Sequence, residues 1–387
     1  MSSISLSGGL SRRRFLQVTA AGVVTSTMIG GLKPAFAEAY TKFTWISPRG
    51  TLEVLDDYPF WLGKKLGYFD GLGFEPEMQP GPSDGTATVK FVDVGQADMG
   101  FPSPGVFSFA LENGMKLKSA FHMGARDTFS LAFRKGEGTN DLKKLEGKTI
   151  LLGSAAWQAI VDPMLAVQGV DITKVKYVEA GWPTWGTALA AGQGDAALSW
   201  EGLRAEWIGK NLNFEYWLGV QHSPLFANSF VVRAADLADP DKKAFLDKYL
   251  RAWAMGLEAA YHNPMAGVDA VFQQFPSLAQ NIGPKLGAES ILQQINVFRG
   301  DMDKRAGWGD HDLKAWQVFF DEIYKLKQIT KPVKAEDVVT NDCIKAANDF
   351  DHDKVKADAM AYKLPADLAA VNIDDVKAHL FDQAVKG

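Results

Sequence analysis

The sequence predicts an α/β fold made of two similar lobes that face one cleft. Residues 95–98 and 192–195 both read Gly-Gln-x-Asp, and each copy joins a predicted helix to a short apolar strand. Each glycine suits the left-handed end of a helix. In an open α/β sheet, the carboxyl ends of the strands face the crevice where ligands bind. The repeated unit therefore predicts two sheets whose strand ends meet at a shared site.

Strands and helices alternate through the first 200 residues, as is typical of layered α/β domains. We predict strands at 42–46, 74–78, 117–122, 149–152, 175–178 and 196–199, and helices at 58–66, 86–94, 107–112, from about 158, and at 187–191. Two extended stretches, 128–134 and 228–233, are predicted to cross between the lobes. We therefore assign 38–131 plus 230–335 to lobe 1 and 132–229 to lobe 2.

The remainder of the chain is mainly helical. Apolar residues at helical spacing predict helices over 240–261 and 312–326, and they place Trp253 and Trp316 in the core. Residues 336–387 are predicted to form a helical segment that packs on lobe 1.

Residues 1–37 have the features of an export signal. They contain a twin-arginine pattern at 11–17, a weakly apolar run at 18–32 and a small-x-small cleavage site at 35–37. The apolar run is too short and too rich in Gly and Thr for a good membrane span. We predict export by the Tat translocase, cleavage after Ala37, and a monomeric protein in the periplasm.

Composition and motifs exclude several classes of function. The formal charge is −5 for the whole chain and −9 without residues 1–37, which argues against a nucleic-acid partner. Cys343 is the sole cysteine, so no internal disulfide can form. The six histidines lack metal-ligand spacing, and no nucleophile elbow or phosphate loop is present. We predict no catalytic residue, no metal site and no cofactor.

The candidate ligand-binding residues lie just past strand ends or at helix starts. Aromatic walls favour a flat or apolar ligand, although ordinary loop packing can also bury a tryptophan. The candidates are Trp45, Arg49, Tyr58, Ser103, Trp157, Gln158, Trp182, Trp185, Trp200, Glu201 and Asn228. Arg49 in the cleft would favour an acidic ligand, and Glu201 there would favour an amine. The sequence leaves both open, together with a surface position for either residue.

Five segments in order resemble one family of proteins. They are KLGYFDGLGF at 65–74, GQAD at 95–98 with PSP at 102–104, DLKKLEGKTI at 141–150, LAAGQGDA at 189–196, and KPV at 331–333 with ED at 336–337. This pattern resembles the solute-binding proteins of ABC importers, in the family that includes nitrate/sulfonate/taurine receptors and thiamine-pyrimidine-precursor receptors.

The resemblance covers about residues 42–340. It implies a type II periplasmic-binding fold with two crossovers, a small-molecule ligand that is sulfonate-, nitrate-, taurine- or pyrimidine-like, and an ABC-importer permease as partner. Residues 45–50 and 56–59 depart from the family pattern, which leaves the ligand class open. Two alternatives remain. One is a binding module for a membrane signalling receptor. The other, a pyrimidine-synthesis enzyme of the same fold, needs a Cys-rich iron motif that this chain lacks.

Overall fold

The computed structural model describes residues 42–82 and 84–386, so the predicted export signal lies outside the described residues. The strands are β1 (Thr44–Ile46), β2 (Glu77–Gln79), β3 (Met99–Gly100), β4 (Leu117–Phe121), β5 (Phe129–Arg134), β6 (Thr149–Leu152), β7 (Lys176–Glu179), β8 (Ala196–Trp200), β9 (Phe214–Leu218) and β10 (Phe230–Arg233). The helices of the first part are α1 (Tyr58–Lys65), α2 (Ala87–Asp93), α3 (Pro104–Glu112), α4 (Gln158–Ala166), α5 (Trp185–Ala190), α6 (Glu201–Gly209) and α7 (Gly219–His222).

The second part is helical, as predicted. Its helices are α8 (Ala234–Ala238), α9 (Pro240–His262), α10 (Pro264–Gln274), α11 (Pro276–Arg299), α12 (Leu313–Lys325), α13 (Ala335–Val338), α14 (Ile344–Ala347), α15 (His352–Met360), α16 (Ala366–Ala369) and α17 (Ile373–Ala378). Among the described residues, none of these or the earlier helices has the length and hydropathy of a membrane span.

The strands form two five-stranded sheets with the same topology. Sheet 1 has the order β2-β1-β3-β10-β4 and sheet 2 the order β7-β6-β8-β5-β9. In each sheet the fourth strand is antiparallel to its neighbours, while the first three are parallel. The prediction of an α/β fold built from two similar halves is confirmed.

The two Gly-Gln-x-Asp segments perform the same structural task. Gly95 and Gly192 adopt left-handed backbone angles, with φ of 76° and 78°. The aspartate that follows, Asp98 or Asp195, accepts a hydrogen bond of 2.8 Å from the backbone of a threonine that begins the adjacent parallel strand. That aspartate also donates its own backbone N–H to the carbonyl of the same threonine. Each motif thus fixes the register of one strand pair.

The chain passes twice between the sheets, through 122–128 and 219–229. The passing segments run side by side, because Gly124 N donates to Asn228 O at 2.8 Å and Ala227 N donates to Gly124 O at 2.7 Å. The stretches predicted as crossings, 128–134 and 228–233, are mostly the strands that follow each passage. A strand and a crossing look alike in sequence because both are extended and alternate in polarity.

The C-terminal segment packs mainly against the helices of the second part. Helices α14 and α15 lie on α9, and α17 lies on α11. Its last residues reach sheet 2, where Ala384 forms a parallel bridge with Tyr216 of β9. Val339 forms a parallel bridge with Ser119 of β4 in sheet 1. The segment therefore contacts both sheets, whereas the sequence predicted packing on lobe 1. The lobe boundaries themselves stay a prediction, which the division of strands between the sheets supports.

Candidate functional site

A cavity lies where the carboxyl ends of β1, β3 and β8 approach the two passing segments. It contains about 620 Å³ of space, part of it open to solvent. Its wall is mostly apolar, with a few polar groups, as is usual for small-molecule sites. The lining residues are Pro48, Arg49, Asp56, Gly85, Phe101, Pro102, Ser103, Val106, Gly124, Thr128, Phe129, Trp157, Ile160, Trp200, Ala227, Asn228 and Phe298.

Four tryptophans that follow strands of sheet 2 form one cluster: Trp157, Trp182, Trp185 and Trp200. Trp157 meets Trp200 edge to face at 5.6 Å, and Trp182 stacks on Trp200 at 6.0 Å between ring centroids. Trp157 and Trp200 line the cavity. Trp185 lies behind them, fully buried, and donates its indole N–H to Leu198 O at 2.7 Å. Trp157 and Trp200 are therefore the rings that a ligand would contact, and Trp182 and Trp185 pack against them.

Arg49 lies in the cavity wall, but its charge is already paired. Its Nη2 donates to Asp57 Oδ2 at 2.6 Å, and the two side chains are 5 % and 1 % exposed. The Arg49–Asp57 pair carries little net charge, but Arg49 Nε is buried without a hydrogen-bond partner among the described residues and is left to donate to a ligand. The surface position considered for Arg49 is wrong, and its role in holding an acidic group stays a prediction.

Asp56 is a wall residue that was not among the sequence candidates. Its side chain is 7 % exposed, and its Oδ2 has no hydrogen-bond partner among the described residues. Burial raises the pKa of its carboxyl to about 6, against the opposing effect of the Arg49 guanidinium. Asp56 lies against the first turn of α6, where a Cβ added to Gly202 would come within 2.0 Å of Oδ2.

Two polar residues predicted from the sequence line the cavity on the side of sheet 1. Asn228 donates from Nδ2 to Phe101 O at 2.9 Å, so its Oδ1, which is buried and has no partner, is the atom left to accept a bond. Ser103 caps α3 by accepting a hydrogen bond from Val106 N at 3.3 Å. Its hydroxyl keeps a proton to donate.

Six of the eleven predicted residues lie outside the cavity wall. Strand-end position identifies a region of chain, but the direction of each side chain depends on packing. Trp45 packs between Phe101, Phe230 and Trp253, Tyr58 stacks on Phe298, Trp185 and Trp182 support the tryptophan cluster, Gln158 donates to Asp162, and Glu201 is buried in a pair with Arg204. Whether the five wall residues Arg49, Ser103, Trp157, Trp200 and Asn228 bind a ligand stays a prediction.

Sequence reasoning missed several wall residues besides Asp56. Phe129 begins β5, Thr128 lies in the first passage, and Phe298 is near the end of α11. For Asp56 a signal was present, because 56–59, at the start of α1, departs from the family pattern. For Phe298 none was present, since it lies among the regularly spaced apolar residues of a long helix. Within the described residues, no group of three or more His, Cys, Asp or Glu side chains is arranged to hold a metal ion.

Comparisons with known proteins agree with this architecture. No curated protein matches the sequence. The alkanesulfonate-binding protein SsuA from Xanthomonas axonopodis pv. citri, bound to MOPS, superposes with a TM-score of 0.61 at 13 % identity, over 79 % of this chain and 99 % of that one. The Candida albicans CA3427 gene product, described as having the generic periplasmic binding protein fold, gives 0.55 at 12 % identity, over 78 % and 96 %.

A DszB mutant in complex with biphenyl-2-sulfinic acid gives a TM-score of 0.50 at 13 % identity, over 79 % of this chain and 98 % of that one. At identities this low, structural similarity shows the fold alone, which is the two-lobe periplasmic-binding fold predicted from the sequence. The profile of the family described as NMT1/THI5 like matches residues 56–266, which is more than half of the chain. The chain belongs to the NMT1/THI5-like family.

Proposed function

We propose that this protein is an exported solute-binding receptor that captures a small organic ligand between its two lobes and delivers it to an ABC importer. The observation that carries the proposal is the cavity at the facing edges of two sheets of the same topology, with an aromatic wall and few polar groups. The structural likeness to a sulfonate-binding protein supports the same role. The chemistry of a receptor is binding alone, and among the described residues the cavity wall contains no cysteine or histidine.

Ligand binding would draw the two lobes together about the passing segments 122–128 and 219–229, which is the usual hinge closure of this fold. Several contacts between the halves involve glycines that leave no room for a side chain. At Gly85 an added Cβ would lie 2.7 Å from the Trp157 indole nitrogen, and the Gly85 N–H donates to Ser154 Oγ at 3.2 Å. These contacts describe a closed form in which the cavity wall is complete.

A screen of solutes by thermal shift tests the proposal. The panel includes sulfonates, pyrimidines, aromatic acids and amines, because the family leaves these classes open. A ligand that binds the folded protein raises its melting temperature by linkage. A true ligand should also change the tryptophan fluorescence, since Trp157 and Trp200 line the cavity. Purified protein that converts a bound solute into product would contradict the receptor proposal.

Replacing Trp200 with leucine should weaken binding of the ligand found in that screen by about tenfold or more. One aromatic face is worth about 0.5–1.5 kcal/mol beyond the burial of its area, and the lost area adds to this. Isothermal titration calorimetry measures the effect. Trp308→Leu is the matched control, because Trp308 is equally buried but lies outside the cavity wall. Equal affinities of the two variants would show that the tryptophan cluster does not contribute to ligand binding.

Export by the Tat translocase is a further part of the proposal. Arg12→Lys combined with Arg13→Lys should leave the precursor uncleaved in the cytoplasm, because the translocase reads the arginine pair. Fractionation and immunoblotting of a C-terminally tagged protein measure this. Arg14→Lys, next to the pair, should be processed normally. Normal processing of the double variant would show that another route exports the protein.

A further inference from the structure

The cavity wall contains a buried carboxylate, that of Asp56, with one oxygen that no described residue bonds, although the Arg49 guanidinium acts on its charge through space. Asp56 is 7 % exposed, and its Oδ2 is without a partner in the described part of the chain. The wall's other ionisable side chain, Arg49, is bonded to Asp57. A buried carboxylate without a partner is unfavourable unless something else supplies charge or hydrogen bonds. Asp56 lines the cavity, so a ligand bound there is placed to supply that partner.

The charged residues around Asp56 make the site acidic. Besides burial, the Asp57 charge raises the pKa of the Asp56 carboxyl, and the Asp56 charge raises the pKa of Glu201 and of Glu206. The Glu206 charge also raises the pKa of the neighbouring Arg49, against the effect of burial. The cations of this cluster are paired: Arg49 bonds Asp57, Arg204 contacts Glu201 and Glu289, and Lys210 lies 3.6 Å from Glu206. With every group ionised, this cluster has five carboxylates and three cations. Burial raises the pKa of Glu201 and of Glu206 to about 7, so part of the negative excess is protonated near neutral pH.

The wall contains a second buried hydrogen-bond acceptor, Asn228 Oδ1, which would accept a bond from a donor on the ligand. The bond from Nδ2 to Phe101 O fixes the side-chain amide of Asn228, so Oδ1 is the free atom, and it is buried without a partner. Beside these two acceptors the wall presents the rings of Trp157, Trp200 and Phe101. Aromatic faces attract cations as well as flat apolar groups.

We propose that the ligand of this cavity has an aromatic or apolar body with a cationic nitrogen, an ammonium or a protonated ring nitrogen, which donates a hydrogen bond to Asp56. The proposal rests on the receptor function above and narrows it to one class of solute. Sulfonates and other anions are excluded from the same position, because they would approach an unpaired carboxylate in a site that already has excess negative charge. Removal of the Asp56 charge should abolish this selectivity.

Matched probes test the proposal. Benzylamine, 2-phenylethylamine and tryptamine are compared with the alcohol and the sulfonate that carry the same ring and linker, by calorimetry at one salt concentration. At least one amine should bind the native protein ten times more tightly than its alcohol and its sulfonate. In Asp56→Asn that amine should lose about tenfold or more in affinity, as expected when a charged hydrogen-bond partner is removed. The alcohol should change little.

Two controls keep the result interpretable. Asp349→Asn removes a carboxylate that is 83 % exposed and should leave all affinities unchanged. Thermal unfolding checks that Asp56→Asn is folded, and removal of an unpaired buried charge should not lower its melting temperature. Native protein that binds a sulfonate as tightly as its amine, or Asp56→Asn that keeps the amine's affinity, overturns the cationic-ligand proposal while the receptor function stands. A protein that binds no solute of the probe set or the wider panel contradicts both.

Discussion

A Gly105→Ala variant should bind the ligand at least about 100-fold more weakly than the native protein, a loss of about 2.7 kcal/mol. Gly105 lies in the first turn of α3, beside sheet 1, and it touches the first turn of α4, beside sheet 2. A Cβ at Gly105 would come within 2.2 Å of the carbonyl oxygen of Ala159. That oxygen belongs to a helix backbone, so it cannot rotate away as a side chain can. The two lobes would have to stay apart.

The same substitution should leave the folding of each half intact. Alanine favours a helix over glycine by about 1 kcal/mol, so α3 itself gains stability. Calorimetry measures the affinity, and small-angle scattering at saturating ligand measures whether the protein stays more extended than the native form. Gly71→Ala is the control, because Gly71 has no atom within 4 Å of an added Cβ. Affinity within threefold of the native value would show that closure does not bring α3 against α4.

The repeat in the sequence predicted the fold for a physical reason. A glycine with positive φ followed by an aspartate fixes both the end of a helix and the start of a strand, as Gly95 and Asp98 do in sheet 1. The glycine acts at the end of its own helix, whereas the aspartate bonds a threonine 54 or 46 residues earlier, on the adjacent parallel strand. Because both halves use the same motif for the same strand pairing, finding it twice in similar contexts predicts two similar halves.

The candidate site was predicted only in part, because side-chain direction depends on packing between distant segments. Trp45 lies within β1 and Arg49 follows it, yet Trp45 packs in the core against Trp253, while Arg49 reaches the wall and pairs with Asp57. Nothing within residues 45–49 distinguishes the two outcomes. Phe298 shows the same limit, since its place in the wall depends on how α11 packs against the remainder of the fold.

The largest effect on stability is expected for Arg204→Met. Arg204 is 1 % exposed, and its guanidinium donates two hydrogen bonds to Glu201, at 2.8 and 3.0 Å, and one to Glu289 of α11, at 2.9 Å. It also donates to Gln383, so it joins α6, α11 and the C-terminal segment. Methionine fills similar space but leaves the buried Glu201 carboxylate and the partly buried Glu289 carboxylate without this cation. Breaking a buried ion pair in this way costs about 3–5 kcal/mol.

Urea unfolding measures the loss, and an unchanged dependence on urea concentration would show that the same transition is compared. Lys285→Met is the matched control on α11, because its pair with Asp375 is 68 % and 45 % exposed and such pairs contribute at most about 1 kcal/mol. Adding Glu201→Gln and Glu289→Gln to Arg204→Met should restore much of the stability, since the unpaired charges are then gone. If Arg204→Met alone lowers the free energy of unfolding no more than Lys285→Met does, the buried pair does not hold α6 to α11. Recovery in the triple variant would show that the loss in Arg204→Met comes mainly from the two carboxylates left without a cation.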